Sequence, residues 1–239
     1  HDGTAVPDYI ARRLTDSARR VPDTDWHIAR LYAFARELGA SMIVPKYSRY
    51  VVDLNRSEDD VALYYGQNTT GLCPLLQFNG EPVYREDQQP TPEEIAKRVE
   101  IYWRPYHQAL RDELDRLQTS HGRVLLWEGH SIKDELSFLF DGRLPDLNLG
   151  TVDGTSCSQE LQSRIESALV AQSAYGYVVN GRFKGGHITR EYGDPSQGIE
   201  AVQLEISQRI YMDQDAFVYD PVAARKAQAT LAAILTSAL

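Results

Sequence analysis

The chain has 239 residues, of which 42% are hydrophobic, and this length and composition are typical of one large globular domain. Its 34 acidic and 25 basic residues give a formal net charge of −9, which argues against nucleic acid or an anionic membrane as the main partner. Two cysteines and the lack of an apolar run of about 18 residues exclude a disulfide framework and a membrane-spanning helix, so we expect a cytoplasmic protein.

The predicted elements of the first half are short, apart from one long helix. In chain order they are a helix near 9–19, a helix capped by 23–25 and ended by Gly39, strands at 41–44 and 50–54, a long functional loop at 57–89, and a helix after Thr91. Thr91 and Glu94 form a capping box around Pro92. Pro105 is expected to kink this helix, because proline cannot donate the helical hydrogen bond.

The second half alternates strands with helices. The predicted elements are strands at 124–127, 147–150, 177–180 and 201–206, helices at 160–171 and from about Pro221, and a glycine-rich loop at 181–198. The run 124–127 is continuously apolar, which is typical of a strand buried on both faces. The alternation, without an internal repeat, predicts a three-layer α/β/α sandwich with a mainly parallel (mixed) sheet, in a single domain spanning 1–239.

Two side chains on these strands stand out. His130 follows the first strand, and ligands of open α/β sheets bind beyond the carboxyl ends of the strands. A single histidine at such a position is more often a core residue bonded to a carbonyl. Glu205 interrupts an apolar strand, where a charge is costly unless it is paired or used; the alternative is the polar face of an edge strand.

Histidines, acids and arginines recur in the loops at the strand ends. They are His1, His130, His187, Asp23, Asp25, Glu205, Arg49, Arg56, Arg182 and Arg190. Two histidines and a carboxylate are the ligands of an open catalytic zinc site, and a further carboxylate can act as the base for water. The spacing alone does not name the reaction. Three other histidines are interpreted as structural: His27, His107 and His121.

Long segments in order resemble one family nearly end to end. They are His1-Asp2-Gly3, 23–27, 48–56, 69–72, 103–107, His130-Ser131-Ile132, 141–151, 180–190 and Gln203-Leu204-Glu205. On these motifs the chain resembles the N-formylglutamate amidohydrolases of histidine degradation, which look related in turn to zinc carboxypeptidases. The resemblance implies a zinc-carboxypeptidase-like (phosphorylase/hydrolase-like) fold, one Zn²⁺ ion, and hydrolysis of N-formyl-L-glutamate to formate and L-glutamate.

The resemblance also implies the metal ligands. Zinc would be held by His1, His130 and an acid from an early loop. In the carboxypeptidases that acid comes three residues after the first histidine, a place that Thr4 occupies here. Asp25 is therefore the preferred ligand, with Asp23 as the alternative.

The resemblance also implies roles for the residues around the substrate, which is expected to be a small N-acyl amino acid with two carboxylates. Glu205 is expected to be the base and Arg49 to stabilise the developing oxyanion. Arg56 would pair with one carboxylate, helped by Asn55. Candidates for the second carboxylate lie in one loop, for which a solvated basic loop is the alternative: Arg182, Lys184, His187 and Arg190.

Two other functions stay open at this point. One is a related metal-dependent deacylase or peptidase acting on another N-acyl acidic amino acid, which would differ only in the carboxylate-binding residues. The other is a metal-free protein that only binds an acidic ligand.

A strand just upstream of His1 is also expected in the intact protein.

Overall fold

A computed structural model describes residues 1–61 and 69–239, which form two compact units. Unit 1 comprises His1–Asp25, Val44–Asp112 and Glu135–Gly142, and unit 2 comprises Trp26–Ile43, Glu113–Asp134 and Arg143–Leu239. No helix of the described ranges is long and apolar enough to cross a membrane.

Unit 2 contains a mixed, mostly parallel sheet. Its strands are β1 (Val124–Ile132), β2 (Leu147–Gly150), β3 (Tyr177–Val179) and β4 (Ile199–Ser207), in the spatial order β1-β4-β2-β3. β1 is parallel to β4 and β2 to β3, whereas β2 and β4 are antiparallel. A separate two-stranded ribbon joins β5 (Met212–Asp213) to β6 (Val218–Tyr219).

The described helices vary widely in length. They are α1 (Asp8–Ala11), α2 (Ile28–Leu31), α3 (Pro92–Arg98), α4 (Arg104–His121), α5 (Gln159–Ala171), α6 (His187–Tyr192) and α7 (Pro221–Ala238). A π-helical turn, Val99–Trp103, separates α3 from α4. This turn ends just before Pro105, where an irregularity was expected because proline lacks the N–H group.

The two faces of the sheet differ in chemistry. On one face β2 and β4 pack against α2, α5 and α7 through an apolar cluster that includes Leu147, Leu149, Val202, Leu204 and Ile206. Side chains alternate along a strand, so the intervening residues face the other side. That side is polar and carries Glu128, His130, Asn148, Gln203 and Glu205. α6 lies over it, because Gly186 N donates to Gln203 Oε1 at 2.7 Å. Helices therefore cover both faces, which confirms the predicted three-layer α/β class.

Unit 1 has its own apolar cluster. Val52, Leu54, Leu72 and Cys73 pack there against the helical segment around Trp103. The capping box is confirmed in part, since Thr91 Oγ1 accepts a hydrogen bond from Glu94 N at 3.3 Å. Elsewhere the described part of unit 1 consists mainly of turns and irregular segments, with isolated bridges between them.

Several predicted elements of the first half are wrong. Of the first helix, expected near 9–19, only residues 9–11 are α-helical, as part of α1, and neither 41–44 nor 50–54 is a strand. The next helix begins at Ile28, because His27 before it has a left-handed backbone with φ 65°. The acids expected to cap that helix are engaged by residues of unit 1 instead. The predicted loop at 57–89 lies partly outside the described residues, since 62–68 are not described.

Two predictions in the second half also need correction. The loop predicted at 181–198 contains α6, which begins at His187. The run 124–127 is only half-buried, since β1 pairs with a single strand of its sheet, and the buried part of β1 is its polar carboxyl end. The other predicted strands and helices of this half are present within one or two residues of their expected ends.

Candidate active site

His1 lies in a buried network of charges in unit 1. Its Nε2 is 2.7 Å from Asp53 Oδ1, and its carbonyl oxygen accepts a hydrogen bond from Asp25 N at 3.1 Å. The Asp25 and Asp53 side chains are 1% and 0% exposed. Buried carboxylates of this kind must be paired or must bind a cation. The structure thus brings His1 and Asp25, two of the predicted metal ligands, together.

Arg49 connects the two carboxylates of this network. Its Nη2 donates to Asp25 Oδ1 at 2.7 Å and its Nη1 to Asp53 Oδ2 at 3.4 Å. The guanidinium also lies 4.8 Å from the centre of the Phe78 ring. A planar fork of donors suits this task, because it can hold two acids in a set orientation. Arg49 therefore orients Asp25 and Asp53, and its predicted contact with a developing oxyanion stays a prediction.

Asp23, the alternative ligand, has a different environment. Its Oδ2 accepts hydrogen bonds from Tyr50 Oη at 2.6 Å and from Phe78 N at 2.9 Å. Burial raises the pKa of Tyr50, and the charge of Asp23 adds to the shift, so the phenol stays protonated and donates. Asp23 thus links three segments of unit 1, which favours Asp25 as the ligand.

Arg56 is held in place by neutral acceptors. Its Nε donates to Thr70 O at 2.9 Å, its Nη1 to Asn55 O at 3.0 Å and its Nη2 to Thr70 Oγ1 at 3.4 Å. Trp103 Nε1 donates to the Arg56 carbonyl at 2.9 Å, which fixes the main chain at the same point. Asn55 is buried, and its N–H donates to Asp53 Oδ1 at 2.9 Å. An ordered guanidinium of this kind can bind a substrate carboxylate.

His130 lies on the polar face of the sheet in unit 2. Its Nε2 is 3.0 Å from Glu128 Oε2, and Glu128 Oε1 accepts a short hydrogen bond from Thr189 Oγ1 of α6. Gly129 lies between Glu128 and His130 on β1 and faces the opposite side of the sheet. A Cβ atom there would lie 2.7 Å from the Tyr32 ring, so only glycine fits. The alternative interpretation of His130, a core histidine bonded to a main-chain carbonyl, does not hold for Nε2, which binds the carboxylate of Glu128.

Glu205 lies beside His130 in the sheet. The two residues are register partners on the parallel strands β1 and β4, so their side chains share a face. Glu205 is 8% exposed, and its carbonyl accepts a hydrogen bond from Asn148 Nδ2 at 3.2 Å. β4 has neighbours on both sides, so the alternative that Glu205 sits on an edge strand is wrong. An acid so placed can exchange protons with a molecule bound next to His130.

The loop and helix at 182–190 hold the four candidates for the second carboxylate. Lys184 Nζ pairs with Asp153 Oδ2 at 3.0 Å, Arg190 Nε donates to Gly185 O at 3.0 Å, and Arg182 Cζ lies 5.5 Å from the Phe183 ring centre. His187 begins α6. Their assignment as substrate-binding residues stays a prediction.

The three histidines interpreted as structural differ in their environments. His107 is fully buried, stacks on Trp103 with ring centres 3.7 Å apart, and places Nε2 2.9 Å from Leu54 O. His27 Nε2 lies 3.0 Å from Phe217 O. His121 is exposed at the end of α4. The structure gives His27 and His107 structural contacts.

Sequence reasoning missed the acids that accompany the two candidate ligands. Asp53 lies in a segment that was considered only for Asn55 and Arg56, and Glu128 in a strand considered only for its apolar run. In both cases a carboxylate binds the Nε2 atom of a histidine. This arrangement is typical of metal-ligating histidines, whose second ring nitrogen then faces the metal. The donor chemistry of the two histidines therefore fits a zinc site.

Comparisons with known proteins agree with these features. Residues 1–212 match the sequence profile of the family described as N-formylglutamate amidohydrolase. The N-formylglutamate deformylases of Pseudomonas putida and Pseudomonas aeruginosa are each 49% identical over 240 residues, an alignment that covers all of this chain and 90% of theirs.

Two solved structures share the fold. An N-formylglutamate amidohydrolase from Ralstonia eutropha JMP134 superposes with a TM-score of 0.82 at 24% identity, covering 99% of this chain and 90% of its own. A gene product of Agrobacterium tumefaciens gives a TM-score of 0.72 at 14% identity, covering 99% of this chain and 88% of its own.

Proposed function

Because the chain belongs to the N-formylglutamate amidohydrolase family, we propose that it hydrolyses N-formyl-L-glutamate to formate and L-glutamate with one zinc ion. The relatives that are 49% identical carry the name of this reaction. The structural observation that carries the proposal is that His1 and His130 each bind a carboxylate through Nε2. The same proposal assigns the chain to histidine degradation.

The proposed zinc ligands are His1, Asp25 and His130. Each of these residues lies in a segment that resembles the family, and within unit 1 the Asp25 N–H donates to the His1 carbonyl. Two histidines and one carboxylate leave coordination positions for water and substrate. Zinc in such a site supplies a Lewis acid for the formyl oxygen and lowers the pKa of water towards about 7.

Glu205 is the proposed base. It takes a proton from the water that attacks the formyl carbon, and it delivers a proton to the glutamate nitrogen as the C–N bond breaks. Its low exposure reduces competition from bulk water, and its register with His130 places it on the same face of the sheet. Arg56 binds one substrate carboxylate and so limits the orientations of the formyl group.

A pair of glutamine substitutions on β4 tests this assignment. Glu205→Gln should retain one zinc ion per chain, while kcat falls about 100- to 10,000-fold, because the amide cannot carry the proton. Glu200→Gln is the matched control on the same strand, where the side chain of Glu200 accepts hydrogen bonds from Ser158 N and Oγ. Zinc content and kcat on N-formylglutamate are measured for both. Full turnover by a zinc-loaded Glu205→Gln variant would sink the assignment.

The substrate is tested by changing one group at a time. N-formylglutamate should be hydrolysed with a higher kcat/KM than N-formylaspartate or N-acetylglutamate. A preference for one of these analogues would instead support the related deacylase. The metal-free binding protein would be supported by two results together. The purified protein would contain no zinc, and it would show no activity that a chelator abolishes.

A further inference from the structure

Glu128 is held from both sides on the polar face of the sheet. It lies two residues before His130 on β1, so the two side chains project from the same face. One carboxylate oxygen binds His130 Nε2 at 3.0 Å and the other accepts from Thr189 Oγ1. A carboxylate normally rotates over a broad range about its last side-chain bond. Here rotation would break one of two buried hydrogen bonds.

Thr189 is well suited to hold this carboxylate. Its side chain is β-branched and completely buried, so few rotamers are open to it. It lies on α6, whose start is attached to β4 by the bond from Gly186 N to Gln203 Oε1 at 2.7 Å. α6 is thus connected to both strands of the parallel pair β1 and β4, and the Thr189 hydroxyl reaches Glu128 from a fixed position.

We propose that Thr189 is a positioning residue for His130 and acts through Glu128. The Thr189 hydroxyl orients the Glu128 carboxylate, which binds the Nε2–H of His130. This contact selects the tautomer in which Nδ1 carries the lone pair, and it sets the plane of the ring. The inference rests on the proposed function, because it takes His130 as a zinc ligand.

The direct test is the affinity for zinc, measured on metal-free protein by competition with a chelator. Thr189→Val keeps the branched shape and removes the hydroxyl, and we expect the zinc dissociation constant to rise about 10-fold. Thr189→Ser keeps the hydroxyl and should stay close to the wild type. Thr151→Val is the matched control, since Thr151 is also fully buried and donates to a side-chain oxygen, Gln162 Oε1, at 2.9 Å. Its zinc affinity should not change.

A double-mutant cycle tests whether Thr189 acts through Glu128. Glu128→Gln should also weaken zinc binding, and adding Thr189→Val to it should weaken binding little further, because the acceptor of the hydroxyl has already been changed. If the valine variant does not fold, Thr189→Ala against Thr189→Ser gives the same comparison.

The outcomes separate this inference from the function on which it rests. Wild-type protein that binds no zinc would remove the proposed zinc site itself. Wild-type protein that binds zinc and hydrolyses N-formylglutamate, while Thr189→Val binds zinc equally well, would overturn only the positioning role. Additive effects of the two substitutions would also overturn it. A loss of thermal stability in Thr189→Val without a change in zinc affinity would assign Thr189 a purely structural role.

Discussion

Arg56→Met should separate binding of a substrate carboxylate from the chemical step. Within the described ranges, the guanidinium donates to two main-chain carbonyls and one hydroxyl, none of which carries a charge. Its positive charge is therefore held in a fixed orientation without being neutralised by these acceptors. Methionine keeps much of the apolar stem and removes all of the donors.

The expected loss follows from the strength of a charged hydrogen bond. Hydrogen bonds to charged groups contribute about 1.5–3 kcal/mol, which corresponds to a fall of about 10- to 150-fold in kcat/KM. Arg56→Lys should lose less, because it retains the charge and loses only the planar fork of donors. Most of the change should appear in KM if the contact is equally strong in the ground state and the transition state.

The assay uses substrates that lack one carboxylate each. N-formyl-4-aminobutyrate lacks the α-carboxylate, and N-formylglutamine replaces the side-chain carboxylate by an amide. Arg56→Met should lower kcat/KM for N-formylglutamate and for one of these analogues, and should have little effect on the analogue that lacks the bound group. Arg116→Met, which removes an exposed arginine paired with Glu113, is the control for the change in net charge. Equal losses on all three substrates would refute a direct contact between Arg56 and a carboxylate.

Two further predictions concern unit 1 and the cysteines. Arg98 is fully buried and donates to Tyr84 Oη at 2.8 Å and to the carboxylate of Glu94. Arg98→Met should therefore lower the free energy of unfolding, measured in urea, by about 3 kcal/mol. A change below about 0.5 kcal/mol would contradict this. Burial raises the pKa of Cys73 to about 11 and that of Cys157 to about 12, which favours the neutral thiol at pH 8. An aromatic disulfide reagent should therefore react with neither cysteine in the native protein and with both after unfolding in guanidinium. Rapid reaction with the native protein would contradict this.

The parts of the fold that were predicted correctly depend on local patterns. The Thr91 cap, the helix at 159–171 and the strand at 199–207 each follow from residues within one or two turns of the chain. The predicted helix start at 23–25 was wrong because contacts between distant parts of the chain override the local pattern there. Asp23 and Asp25 have the side chains of good helix caps, but they accept hydrogen bonds from Tyr50 and Arg49, about 25 residues away, instead. No local rule anticipates such a pairing.

The same distinction explains which site residues could be found. His130 and Glu205 stand out because a polar side chain interrupts an apolar strand, and Glu128 offers the same signal two residues before His130. On a strand, that spacing alone places the two side chains on one face, so the carboxylate partner of His130 was within reach of sequence reasoning. Thr189 was not. Its contact with Glu128 requires α6 to lie across the polar face, and that position depends on the bond from Gly186 to Gln203. Buried polar side chains need partners, and when those partners come from another element, only the three-dimensional structure identifies them.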